Sequence, residues 1–215
     1  MNATRPPSAS LLFGSKEYTD ASRALSELQA QRPIRIDSPG EALLVLPVER
    51  LDDQRLAEFE ELCQPAELRL VLTRQRALAL GVRTLTPLSI PVSRMKATGI
   101  LELAIEAKIH HTAETRPATQ ADIAAIALVK LTRGLPSVLA AKPRYHDVER
   151  QPAMVAVKAD AIGHFAVEAA NRLAVASEAS IPLISGVTSR FVVFHDGQVP
   201  ITSRSLSGRP TSTSR

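Results

Sequence analysis

Tryptophan is absent from the sequence, and aromatic residues make up only 3% of it. So few aromatics give no stacking platform for bases, and no basic stripe interleaved with aromatics replaces one. A single cysteine, Cys63, excludes an intramolecular disulfide and any zinc site built from several cysteines. The nine glycines are scattered. Neither G-x-G-x-x-G nor a Walker sequence gathers them into a phosphate-cradling loop. The longest apolar runs, 42–48 and 123–129, fall far short of the ~20 residues of a membrane span. Residues 1–11 show no basic start followed by a long apolar stretch, so no secretory signal is read there. The expectation is a cytoplasmic protein with neither membrane nor nucleic acid as partner.

What is present suits a folded domain. Of 215 residues, 45% are hydrophobic, enough for a buried core, and 22% are charged. The net charge of +4 is largely a tail effect. The last fifteen residues, ITSRSLSGRPTSTSR, hold three arginines and no acid, and without them the net falls to +1.

Hydrophobic spacing orders the chain. Residues 1–17, with paired prolines, read as a structureless lead. A helix is expected over 17–31, with Ala21, Leu25 and Leu28 on one side, stopped by Pro33. Strand 34–36, a turn at Asp37-Ser38-Pro39-Gly40 and a fully buried strand over 42–48 follow. Helix 51–62, strand 68–72 and helix 74–80, with Gly81 beyond its end, come next. The stretch 82–92 reads as strand plus loop, and 100–109 fits strand or helix equally. Thr119 and Asp122 form a capping box, with Asp in place of Glu, that opens a helix over 120–133. Strand 137–140, a polar connection over 142–152, strand 155–157, helix 163–176 and strand 190–195 complete the series. A turn is expected at Asp196-Gly197. The alternation favours a layered α/β or α+β fold.

The chemistry of the side chains supplies no catalytic constellation. His110 and His111 are adjacent, so they point apart on a strand and diverge on a helix; Glu106 joins His110 only if the segment is helical. His146, His164 and His195 are isolated and read as structural or solvated. Cys63 lacks a neighbouring base and reads as structural. No G-x-S-x-G elbow occurs. Asp52-Asp53 and Glu60-Glu61 read as solvated helix charges. Arg69, Arg74, Arg76 and Arg83 flank a strand end and are phosphate-binding candidates, with solvated charges as the plainer reading.

Three segments, taken in order, resemble 3,4-dihydroxy-2-butanone 4-phosphate synthase of riboflavin biosynthesis. ALSELQAQRPIRIDSPGEALLVLPVE is similar to that family's helix, strand, acidic loop and strand, with 41–49 matching E-G-D-L-I-F-P-A-E. LRLVLTRQRALALGV resembles its strand–helix L-I-C-V-A-L-T-x-E-R-A-x-x-L-G-L. IAAIALVKLTRGLPSVL resembles its later helix and strand. The resemblance implies an α+β fold, a mixed sheet with packed helices.

The resemblance also implies where the family's metal site should lie, and there the sequence departs from it. In the D-R-E-N-E-G-D loop the arginine falls on Ser38, the first glutamate on Pro39 and the last aspartate on Leu43. In G-H-T-E the histidine falls on Ala121 and the glutamate on Ile123; a one-residue shift moves the histidine to Asp122. A hard divalent cation needs oxygen or imidazole ligands, which Pro, Leu and Ala side chains lack. A degenerate copy that keeps the fold without the lyase chemistry is expected, with no catalytic, cofactor or metal residue assigned.

VASEASIPLISGVTSRFVVFHDG resembles the opening of GTP cyclohydrolase II. The expected organisation is a lead over 1–17, a synthase-like domain over 18–175, the start of a cyclohydrolase domain over 176–200 and a structureless tail over 201–215. The expectation for that tail is either a frameshift, since codons for D-H-L-A-I-V-I-G read one base late can give I-T-S-R-S-L-S, or a natural end. The implied function is a truncated GTP cyclohydrolase II-family protein with a structural, inactive synthase-like domain, and a homodimer is the candidate assembly, with the oligomeric state left open by the sequence. It lacks the catalytic region, so enzymatic activity is undecided. Zinc belongs to an intact cyclohydrolase, magnesium to an active synthase, and GTP binding to the missing domain. Two alternatives stand beside it: a diverged active synthase on ribulose 5-phosphate using Glu41, His110 and His111, and a phosphometabolite-binding module.

Overall fold

The computed structural model describes residues 15–64, 67–106, 114–144, 154–171, 174–182, 188–195 and 207–211. It divides into two compact units, Met1–Ala166 and Val167–Arg215. The first carries α1 (Lys16–Gln29), β1 (Ile34–Ser38), β2 (Glu41–Pro47), α2 (Asp53–Leu62), β3 (Arg69–Leu72), α3 (Arg74–Ala79), β4 (Leu88–Pro91), α4 (Ala97–Ile105), β5 (Arg116–Pro117), α5 (Gln120–Leu131), β6 (Ser137–Ala141) and β7 (Ala156–Lys158). Helix α6 (Ala159–Asn171) runs across the division.

Seven strands form one sheet in the order β5-β4-β3-β6-β2-β1-β7. Every pair is antiparallel except β1 with β7, which is parallel, so the sheet is mixed and the class is α+β. The continuous apolar run in β2 follows from burial on both faces. Leu43 and Val45 join one core with α1, α5 and α6 residues such as Leu28, Ala125 and Phe165. Leu44 and Leu46 join a second core with Phe59 of α2, Ala77 of α3 and Ile100 of α4. The alternation continues on β6, where Val138 and Ala140 face the first core and Leu139 and Ala141 the second. Three layers result, helix–sheet–helix.

Local signals set the element ends. Asp37–Gly40 makes the β1–β2 reversal, with Ser38 opposite Glu41 and Gly40 at φ 77°. Gly81, at φ 85°, follows α3. The undecided segment over 100–109 is helical as far as Ile105, where the apolar face of α4 packs into the second core.

Three boundaries differ from expectation. Helix α1 starts at Lys16, capped by Ser15, inside the expected lead. The helix expected over 163–176 spans 159–171, because it leaves β7 directly and Val175 already lies in a strand. The tail expected to be structureless contributes β10 (Ser207–Thr211), which pairs with β9 (Thr188–His195). β9 also pairs with β8 (Ala174–Pro182), giving a sheet of order β10-β9-β8. Residues 145–152 of the polar connection, the Asp196-Gly197 turn and His110, His111 and His146 lie outside the described residues. Among the described residues no helix is long and apolar enough to cross a membrane.

Candidate functional site

The β1–β2 reversal and the start of α5, far apart in sequence, meet at Arg69. The register explains it. β6 lies between β2 and β3, pairing Ala141 with Leu44 and Ala140 with Arg69. Arg69 therefore opens β3 near the start of β2. Its Nη2 lies 3.1 Å from Glu41 Oε1 and 3.0 Å from Asp122 Oδ1, and its Nε lies 3.1 Å from the same Asp122 oxygen. Asp122 is fully buried, and the Arg69 side chain is only 12% exposed.

Asp122 is also the third residue of α5. Its Oδ2 accepts from the Thr119 N–H at 3.0 Å, while Thr119 Oγ1 accepts from the Asp122 N–H at 3.2 Å. The capping box read from the sequence is present. Backbone N–H, helix N-terminus and guanidinium together supply the partners this buried carboxylate needs. Two carboxylates thus share one guanidinium.

Both carboxylates are engaged by the guanidinium. Leu43 and Ala121, which fall on two expected ligand positions, are fully buried in the first core. Pro39 sits in the turn, and Ile123 is 45% exposed on α5. Among the described residues no group of three or more His, Cys, Asp or Glu could hold a metal.

Beside Glu41 lies a cleft of about 300 Å³, lined by Gly40, Ala42, Gln64, Lys142 and Arg144 among others. Arg144 donates to the carbonyls of Cys63 and Glu60, each at 3.2 Å, and Lys142 lies 3.6 Å from Glu67.

The four arginines singled out by sequence do not converge. Arg69 is held as above. Arg74 donates to the Thr84 carbonyl at 3.1 Å. Arg76 caps the end of α4 through the carbonyls of Leu103, Glu102 and Glu106. Arg83 is exposed. Three of the four thus make hydrogen bonds or ion pairs within the fold. Sequence grouping missed the pairing role of Arg69, although a charge at the head of the run LRLVL was a signal that something buried must answer it.

Asp52 and Asp53 are also more than solvated charges. Asp52 caps α2 by accepting from the Arg55 N–H at 2.7 Å. Asp53 Oδ1 accepts from the Ala97 N–H at 2.9 Å and so caps α4, whose own N-cap Lys96 makes no side-chain bond. Cys63 is fully buried and its thiol donates to the Phe59 carbonyl at 3.0 Å. Burial, helped by the Glu60 charge, pushes the thiol pKa up to about 12, far from nucleophilic use. His164 is exposed on α6, and His195 ends β9.

No protein family model and no curated protein matches the chain. Solved structures do. The fold is that of 3,4-dihydroxy-2-butanone 4-phosphate synthases. RibBX, a two-domain synthase from A. baumannii, superposes with a TM-score of 0.58 at 10% identity, over 81% of this chain and 66% of that one. The chain thus spans about two thirds of that two-domain protein's length. The Candida albicans synthase gives 0.52 at 12% identity, covering 66% of this chain and 95% of that one. A synthase bound to two magnesium ions gives 0.52 at 13%, covering 66% and 94%. At these identities the likeness is one of fold.

Proposed function

We propose that this chain provides the synthase-like domain of a GTP cyclohydrolase II-family protein of riboflavin biosynthesis, and that the domain is structural and catalytically silent. The observation that carries the reading is the Arg69 guanidinium between Glu41 and Asp122, 3.1 and 3.0 Å from their oxygens. The β1–β2 turn and the α5 N-terminus are the two segments that, by resemblance, would supply metal ligands. Here their acids neutralise a side-chain cation instead. A guanidinium has a fixed charge and no open coordination position, so it can neither release a ligand to substrate nor activate a water as a bound metal does. The test is ribulose 5-phosphate with Mg²⁺ and the purified chain. No product is expected; 3,4-dihydroxy-2-butanone 4-phosphate above the protein-free blank overturns the reading.

A second reading, phosphometabolite binding, draws on Lys142 and Arg144 in the cleft beside Glu41. Saturable thermal stabilisation by ribulose 5-phosphate or GTP, lost in Lys142→Ala, would favour it. Equal stabilisation by inorganic sulfate in wild type and variant would reject it.

A further inference from the structure

Between α5 and α6 runs a groove of about 440 Å³, lined wholly by residues of the first unit. Ile123, Ala124 and Ala127 of α5 and Gly163 of α6 make it largely apolar. Gln120 and Asp160, in the first turns of the two helices, are joined by a 3.1 Å bond from Nε2 to Oδ1. Two residues there are not explained by packing within the chain. Ile123 is 45% exposed on a helix whose other residues are mostly buried. Gly163 lies inside α6, where glycine weakens a helix relative to alanine, yet a Cβ on it would meet nothing within 4 Å. An absent side chain on an open helix face is what a second backbone needs to come close. Asp160, Gly163 and His164 are all exposed, and their i, i+3, i+4 spacing puts them on one face.

We propose that this groove is the contact between two copies of the chain related by a two-fold axis. In it α6 crosses its counterpart at Gly163, and Ile123 of each copy enters the groove of the other. The charge pattern selects a second copy over an unrelated helix. Asp160 and His164 stand one turn apart on the same face, with residues 161–163 between them. A two-fold axis through that middle turn sets the acid of one copy opposite the imidazole of the other, twice over, as an isologous contact requires. An imidazole N–H donates to a carboxylate whether the ring is neutral or charged, and a carboxylate has more acceptor sites than the Gln120 bond uses. The surface is separate from the Arg69 cluster, and it stands whether or not the domain is catalytically silent.

The experiment is sedimentation equilibrium of the full chain over a concentration series. A monomer–dimer equilibrium is expected. Ile123→Lys, at an exposed position, should raise the dimer dissociation constant by about tenfold or more while leaving the far-UV circular dichroism as in wild type. His164→Asp sets carboxylate against carboxylate across the axis and should weaken the dimer to a similar degree. The double exchange Asp160→His with His164→Asp restores the pairing under the same symmetry and should recover it. Four results overturn the proposal: a monomer at every concentration; a dimer unchanged in Ile123→Lys; a double exchange no tighter than His164→Asp alone; or a dimer abolished by Ile181→Lys and untouched by the α5 and α6 variants, which would put the contact on β8.

Discussion

Arg69, at the head of a core strand, reaches the fully buried carboxylate of Asp122 with Nη2 3.0 Å from Oδ1. Neither residue is tolerable there without the other. Arg69→Met should therefore cost about 3–5 kcal/mol in urea unfolding, because it strands a buried charge. Arg69→Lys keeps the charge and loses the fork, so it should cost less. A loss under about 1 kcal/mol for Arg69→Met would place the pair with surface ion pairs and contradict this account.

Asp53 stabilises a helix it does not belong to. Asp53→Ala should lower stability by about 1 kcal/mol, the usual worth of an N-cap bond. Hydrogen exchange at the Ala97 amide should accelerate alongside. An unchanged Ala97 protection factor would show that the bond to Asp53 carries nothing.

Burial raises the Cys63 thiol pKa to about 12, against 9.0 for an unperturbed thiol. The folded chain thus holds this proton more tightly than the unfolded chain does. Its contribution is fully present below pH 9.0 and is lost as pH climbs toward about 12. Wild type should lose stability faster than Cys63→Ala across that window, and the native thiol should resist alkylation until denaturant is added. Parallel pH profiles for the two proteins would refute the assignment.

A Cβ on Gly134 would lie 2.6 Å from Glu49 Oε2, the atom that accepts from Gln31 Nε2. Gly134→Ala should push the Glu49 carboxylate aside and cost about 1 kcal/mol, with the Gln31 amide resonance shifting. Retention of that resonance at its wild-type position would mean that Gly134, rather than Glu49, yields.

All nine residues of β8 are exposed at the edge of its sheet, including Val175 at 59% and Ile181 at 43%. Such an edge recruits further strands, so light scattering should show concentration-dependent association that Ile181→Lys reduces. A monodisperse wild-type solution at high concentration would speak against this.

Much of the framework was legible because its causes are local. Thr119 and Asp122 announce the start of α5 by spacing alone, and the unbroken apolar run of β2 announces burial on both faces. The site was less legible. That Glu41 and Asp122 share Arg69 depends on β6 lying between β2 and β3, a fact of sheet order that no short window contains. Asp53 looked solvated for the same reason, since its partner Ala97 belongs to another helix. The start of α6 was placed late because Gly163 read as a beginning, whereas the helix continues straight out of β7.

The lone parallel pairing, β1 with β7, joins one of the earliest strands to the last strand of its sheet. That seam has to wait until nearly the whole first unit has been threaded, and it closes the widest loop among the described strand pairs with three paired positions. It is therefore the natural place for the molecule to come undone: a breathing motion that peels Ala156–Lys158 away would loosen one border while the antiparallel centre stays shut.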